Sequence, residues 1–360
     1  MNMMLRQQLH RWWLLAQWLI ICAIGSLYTL AQPPTKLWSI NLNGNADFYK
    51  RASILEVSLT PPSVGFLNDD QIICGFYDRE EIGFDPSVKG YVFHVLAIDA
   101  RTGRFGRELD FQSENDNSRA LPVADGGFVV LAGQELKKFT SSFTPSLSYP
   151  TPIGGTYQLP DLWRMDVAPG GDRILLYHRH GKEGSEFRWI TSNDLTEFNK
   201  IPTGYHAIAL ASNSAILIND VRDRVILSDQ GTRPLCNRCE AYFLTDDLVF
   251  IDREREYSIE TTEGERRGGG RLDLGVLHFA RAATASRFAY ETGHYTRFRS
   301  LSGEIRVQDW STNQRVADIR VNEPAGNPSD GLNQMALALS PDGKYLAVLL
   351  HHTLSCYRLP

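Results

Sequence analysis

The chain has 360 residues, 42% hydrophobic and 22% charged, enough apolar material to bury a large core. Its 29 Gly and 17 Pro beside only 5 Met describe a turn-rich chain, which excludes a collagen, a coiled coil, a disordered tail and a polytopic membrane protein. With 37 basic against 42 acidic residues the formal net charge is −5, so bulk charge offers no footprint for nucleic acid.

Residues 1–31 read as an export signal. Arg6 and Arg11 form a positive n-region, and no acidic residue precedes Asp47. Residues 14–30 are apolar apart from Gln17, Gly25, Ser26 and Thr29, and they end at the small-residue site Thr29-Leu30-Ala31. Gln32-Pro33-Pro34 then stops any helix. The alternative is an uncleaved anchor, because the apolar stretch approaches the roughly 18 to 20 residues that cross a bilayer. Cys22 follows Ile20-Ile21, not the small residue that lipid attachment needs. Both readings export residues 32–360 to the periplasm or the extracellular space, with membrane contact only through an uncleaved 1–31. Without residues 1–31 the chain has 329 residues and a formal charge of −7.

Beyond residue 32 the apolar residues come in short runs rich in Val, Ile, Leu, Phe and Tyr, separated by Gly, Asp, Asn, Ser or Pro. Residues 37–42 form a first strand. Seven hairpins follow, turning at Asn68-Asp69-Asp70, Asp125-Gly126, Pro169-Gly170-Gly171-Asp172, Asn213-Ser214, Asp246-Asp247, residues 284–286, and Ser340-Pro341-Asp342-Gly343-Lys344. Third and fourth strands follow several of them. Residues 91–98 run through Asp99-Ala100-Arg101-Thr102-Gly103-Arg104 into 108–111, and 304–310 run through Ser311-Thr312-Asn313-Gln314 into 316–321. Seven units of about 47 residues, each of four short antiparallel strands, predict an all-β, seven-bladed β-propeller. The seventh unit lacks an outer strand. Residues 37–42 are expected to supply it and close the ring, with 54–59 as the alternative.

Ser340-Pro341-Asp342-Gly343-Lys344-Tyr345-Leu346-Ala347-Val348 resembles the strand-turn-strand signature of WD-repeat-like propellers. The same hairpin occurs in the quinoprotein amine dehydrogenase-type superfamily of seven-bladed propellers. Asp99-Ala100-Arg101-Thr102-Gly103-Arg104 is similar to their third-to-fourth strand turn. The resemblance implies architecture rather than activity. No Gly-His and Trp-Asp pair recurs per blade, so the hydrogen-bond tetrads of true WD repeats are not expected here.

The remaining chemistry is sparse. Cys236-Asn237-Arg238-Cys239 could be a redox dithiol, half a metal site or a local disulfide; Glu240 after Cys239 removes c-type haem attachment. In an exported chain the plain reading is a structural disulfide between Cys236 and Cys239, pinning a turn between two blades. Cys74 and Cys356 fall in neighbouring blades and read as buried thiols rather than a staple across packed sheets. His178-Arg179-His180 and His351-His352 could suit a metal but read as solvated loop residues at second-strand ends. Asp252-Arg253-Glu254-Arg255-Glu256 reads as an exposed hairpin, and Gly268-Gly269-Gly270 as a flexible inter-strand loop without the Lys-Ser/Thr of a phosphate cradle. No catalytic, metal-ligating or cofactor-binding set emerges, and no cofactor is expected.

The expectation is therefore an exported binding or scaffold protein, presenting a surface to a protein, peptide or glycan and not to nucleic acid. Its variable surface would be the long loops at 78–90, 112–118 and 322–332. The alternative is an exported propeller enzyme, a lactonase-like hydrolase or a quinone-dependent oxidoreductase. His, Asp, Glu and Arg converging on the channel from three or more blades would favour that alternative.

Overall fold

Among the described residues the short alternating runs form thirty strands and no α-helix. The computed structural model describes residues 33–42, 63–78, 91–113, 118–151, 155–156, 159–160, 162–180, 184–203, 208–219, 223–228, 231–237, 239–253, 255–272, 276–294, 302–322, 335–350 and 353–360. Residues 1–31, 54–59, His351 and His352 lie outside them, as does most of the three long loops.

A first strand, β1 (Thr35–Asn41), precedes the ring. Blade 1 is β2 (Ser63–Asn68), β3 (Gln71–Asp78), β4 (Tyr91–Asp99) and β5 (Phe105–Ser113). Blade 2 is β6 (Arg119–Pro122), β7 (Phe128–Ala132), β8 (Glu135–Phe139) and β9 (Pro145–Pro150), followed by a two-stranded pair, β10 (Gly155–Thr156) with β11 (Leu159–Pro160). Blade 3 is β12 (Leu162–Val167), β13 (Arg173–His180), β14 (Gly184–Thr191) and β15 (Glu197–Thr203). Blade 4 is β16 (Ile208–Ala211), β17 (Ala215–Asn219), β18 (Asp223–Ser228) and β19 (Gly231–Asn237). Blade 5 is β20 (Glu240–Phe243), β21 (Leu248–Asp252), β22 (Glu256–Thr261) and β23 (Arg266–Arg271). Blade 6 is β24 (Val276–Arg281), β25 (Arg287–His294), β26 (Ser302–Asp309) and β27 (Gln314–Asn322). Blade 7 is β28 (Met335–Leu339), β29 (Tyr345–Leu350) and β30 (Thr353–Arg358), with β1 as its outer strand.

β1 pairs antiparallel with β30 from Thr35↔Arg358 to Asn41↔Thr353, so the N-terminal strand closes the ring. Trp38 fastens it to the next blade: its indole Nε1 donates to the Ala100 carbonyl at 2.8 Å. Gly103, at φ 71°, lies beneath that indole, where a Cβ would come within 2.8 Å of the ring.

The core is seven apolar clusters, one in each interface between neighbouring blades. Strand periodicity explains why the second strands are nearly continuous hydrophobic runs. Along β29, Leu346 and Val348 pack toward blade 6 while Ala347 and Leu349 pack toward blade 1. A strand covered on both faces has no polar side. The interface between blades 5 and 6 is aromatic: Phe250 lies within 5.1 to 5.9 Å of the rings of Tyr257, Phe279, Phe288 and Tyr290.

Every pairing of a third with a fourth strand contains a register shift, for example at Leu96/Ile98, Trp189/Ile190 and Val307/Gln308, and at Lys36/Trp38 in the closing pair. Such bulges increase local twist, which lets each outer strand turn away from the ring axis.

Three sequence expectations need correction. Gly268-Gly269-Gly270 is not a loop; it forms half of β23 and pairs with β22, Gly270 opposite Tyr257, where a Cβ would meet the phenol ring at 2.8 Å. Asp252 is not an exposed hairpin residue. It is buried at the end of β21 and accepts the Val276 amide of blade 6 at 2.6 Å. His178 is not a solvated loop residue either: it lies within β13, 3% exposed, stacked on Trp163 with centroids 3.7 Å apart.

Candidate functional site: the central channel and the two ring faces

The seven inner strands surround the ring axis, and three of them project charged side chains there. Arg281, at the end of β24, donates to the Phe243 carbonyl of blade 5 at 3.2 Å and to the Val167 carbonyl of blade 3 at 3.1 Å. One side chain from blade 6 thus crosses the channel. Arg119 of blade 2 donates to the Met165 carbonyl of blade 3 at 3.3 Å, and Asp166 of blade 3 accepts the Ala211 amide of blade 4 at 2.7 Å.

Burial lowers the pKa of both guanidinium groups, and the Asp166 charge opposes it. Burial raises that of the Asp166 carboxyl, against the attraction of Arg281 and Arg119. Sequence reading did not single out these three residues. The available signal was charge interrupting an apolar inner strand, as in Trp163-Arg164-Met165-Asp166-Val167 and Ala280-Arg281-Ala282. Charges from three blades do converge, as the enzyme alternative requires. Each, however, hydrogen-bonds the main chain of another blade.

One face of the ring carries the turns from first to second and from third to fourth strands. Many of these turns are joined to their neighbours. Ser340-Pro341-Asp342-Gly343-Lys344 forms the β28–β29 turn, with Ser340 Oγ accepting the Tyr345 amide at 2.9 Å and Asp342 Oδ1 the Lys344 amide at 3.0 Å. Gly343 adopts φ 71°, a left-handed conformation that suits glycine. The same turn reaches both neighbouring blades. Thr284 of blade 6 donates its amide to the Pro341 carbonyl at 3.0 Å, and the Asp342 amide donates to Asp69 of blade 1 at 3.0 Å. Ala124 donates to the Gly171 carbonyl across blades 2 and 3, and Asn213 donates twice to Asp246 across blades 4 and 5, both at 2.8 Å.

The other face receives the connections from second to third strands and from each blade to the next. The strands flanking residues 43–62, 79–90, 114–117, 295–301 and 323–334 all end there. Cys236 and Cys239 lie on it, where β19 of blade 4 gives way to β20 of blade 5. Their Cα atoms are 6.0 Å apart, within disulfide reach. Cys74 and Cys356 share the apolar cluster between blades 1 and 7, and both are free and buried. Burial pushes each thiol up to about 12.

Among the described residues no helix is long and apolar enough to cross a membrane. No protein-family model matches the chain, and no curated protein matches it in sequence. Solved structures do resemble it. The WD40 domain of Neurospora crassa Pan2 superposes with a TM-score of 0.56 at 13% identity, covering 92% of this chain and 96% of that one. A chain of the mitotic checkpoint complex gives 0.52 at 11% identity, covering 90% and 91%. A chain from the structure of BBS1N in complex with ARL6DN, soaked with lead, gives 0.50 at 10% identity, covering 91% and 97%. At these identities the likeness establishes the fold, a seven-bladed propeller of the WD40 kind.

Proposed function

We propose that the chain is an exported propeller that binds a protein, peptide or glycan partner through the face bearing its long connections. The observation that carries this reading is the asymmetry between the two faces. One has short turns, many of them hydrogen-bonded to each other, whereas long connections converge on the other. Rigid scaffolds that display loops on one side are the usual arrangement for recognition. The Arg281 crossing supports binding over catalysis, because it ties blades together where a reactive pocket would otherwise open. Two of the structurally similar chains come from protein assemblies, which favours a protein partner.

Export rests on residues 1–31. β1 begins on the turn face, because Thr35 pairs with Arg358 at the end of β30. An anchor retained at 1–31 would therefore hold the turn face toward the bilayer and the long connections away from it.

The test places a photo-crosslinking amino acid at Phe84 or Asn327 and, on the opposite face, at Asp125 or Thr262, in cells that produce the chain. Specific adducts are expected only from the first two positions. Adducts confined to the turn face, or a stoichiometric quinone in the purified protein, would overturn the reading. An alkaline phosphatase fusion after Pro360 tests export separately: it should be active, and an inactive fusion would remove the export half of the proposal.

A further inference from the structure

The outer hairpin of blade 1 assembles a donor set that the channel does not use. In the register of β4 with β5, His94 stands opposite Asp110 and Leu96 opposite Glu108. Glu108 and Asp110 are two apart on one strand, so all three side chains share one face of the hairpin. His94 Nδ1 lies 2.8 Å from Asp110 Oδ1 and 3.4 Å from Glu108 Oε1. The three ligand atoms all lie within 4.8 Å of one another.

From this geometry we infer that His94, Glu108 and Asp110 form a binding site for a divalent transition cation of the zinc class. Tetrahedral zinc with bonds of about 2.0 to 2.2 Å holds its ligands roughly 3.3 Å apart, close to the spacings already present. One imidazole and two carboxylates are an ordinary zinc donor set, and the two negative charges neutralise the dication. The site is ordered on one side and open on the other. His94 is 5% exposed and stacks against Phe76 with centroids 5.5 Å apart, whereas the Glu108 and Asp110 side chains are 39% and 61% exposed. The carboxylate side thus admits an ion and leaves a coordination position for water. The set lies on the two outermost strands, away from the axis, so it serves to clamp β4 to β5 and not to activate a substrate in the channel.

The experiment titrates Zn²⁺ into the metal-free exported chain against a fluorescent chelator, and Co²⁺ into a parallel sample followed by absorbance. Three proteins are compared: the unsubstituted chain, E108Q/D110N and C236S/C239S. The exposed carboxylates make E108Q/D110N a variant that keeps its fold, which circular dichroism verifies. One Zn²⁺ per chain is expected, retained in C236S/C239S and weakened at least about 100-fold in E108Q/D110N. The Co²⁺ spectrum should show visible bands without a thiolate charge-transfer band. Three results would overturn the site: no stoichiometric binding, binding unchanged in a folded E108Q/D110N, or a thiolate band.

Discussion

Arg281 concentrates the energetic logic of this ring in one side chain. Its two hydrogen bonds join blades 3, 5 and 6, and its charge faces Asp166 in a desolvated setting. R281M removes both bonds, strands two main-chain carbonyls and leaves Asp166 with less positive charge nearby. Breaking a buried charged set in this way costs about 3 kcal/mol, so urea denaturation should give a lower midpoint for R281M. An unchanged midpoint would mean the crossing contributes nothing. The thiols give a second residue-scale prediction. Cys74 and Cys356, both buried and pushed up to about 12, should resist a thiol reagent in the native protein. In the chain lacking residues 1–31, denaturation without reductant should release these two thiols alone; four would show that Cys236 and Cys239 are unpaired.

At the scale of elements, the β28–β29 turn has a measurable electrostatic signature. Burial opposes ionisation of Asp342, but hydrogen bonds from Lys344 and Ser340 outweigh it and hold the carboxyl down at about 2. A carboxyl whose folded pKa lies below its unfolded value stabilises fully above the unfolded pKa. That contribution is lost as pH falls toward the folded one. D342N should therefore cost about 1 kcal/mol at pH 7, allowing for solvent screening, and the two proteins should converge near pH 2 in melting experiments. A constant gap across that range would refute the assignment. The turn was legible beforehand because Ser, Pro, Asp and Gly each satisfy a local requirement. The outer bulges were not, since a bulge depends on how two strands pair. The third-to-fourth turns are partly hidden for the same reason. Gly103 announces a left-handed position, but Phe143 and Leu195 take the same conformation at φ 61° and 54° and are buried. Their packing offsets a backbone cost of about 1 to 2 kcal/mol.

For the whole molecule, closure is the decisive event. β1 covers the edge of β30 and places Trp38 and Ile40 on the cluster between blades 1 and 7. Deleting residues 33–42 should lower Tm by about 4 °C, the effect of losing roughly 3 kcal/mol of apolar burial in a chain this size. Calorimetry that finds Tm unchanged would show that the ring does not depend on this strand.

The sequence alone determined the seven blades, the first hairpin of each, the closing strand and the turn motif. All are written locally, in a two-residue alternation punctuated by turn residues, and local signals survive without knowledge of distant partners. It misread Gly268-Gly269-Gly270 as a loop and His178 as solvated, because a strand's neighbours, not its composition, decide which small or polar residues it can bury. Only the tertiary structure decided that Arg119, Asp166 and Arg281 meet in the channel. The same holds for the latching of one face, and for His94 meeting Glu108 and Asp110 across one hairpin register. Arg281 and Val167 are 114 residues apart, and only closing the ring brings them within a hydrogen bond.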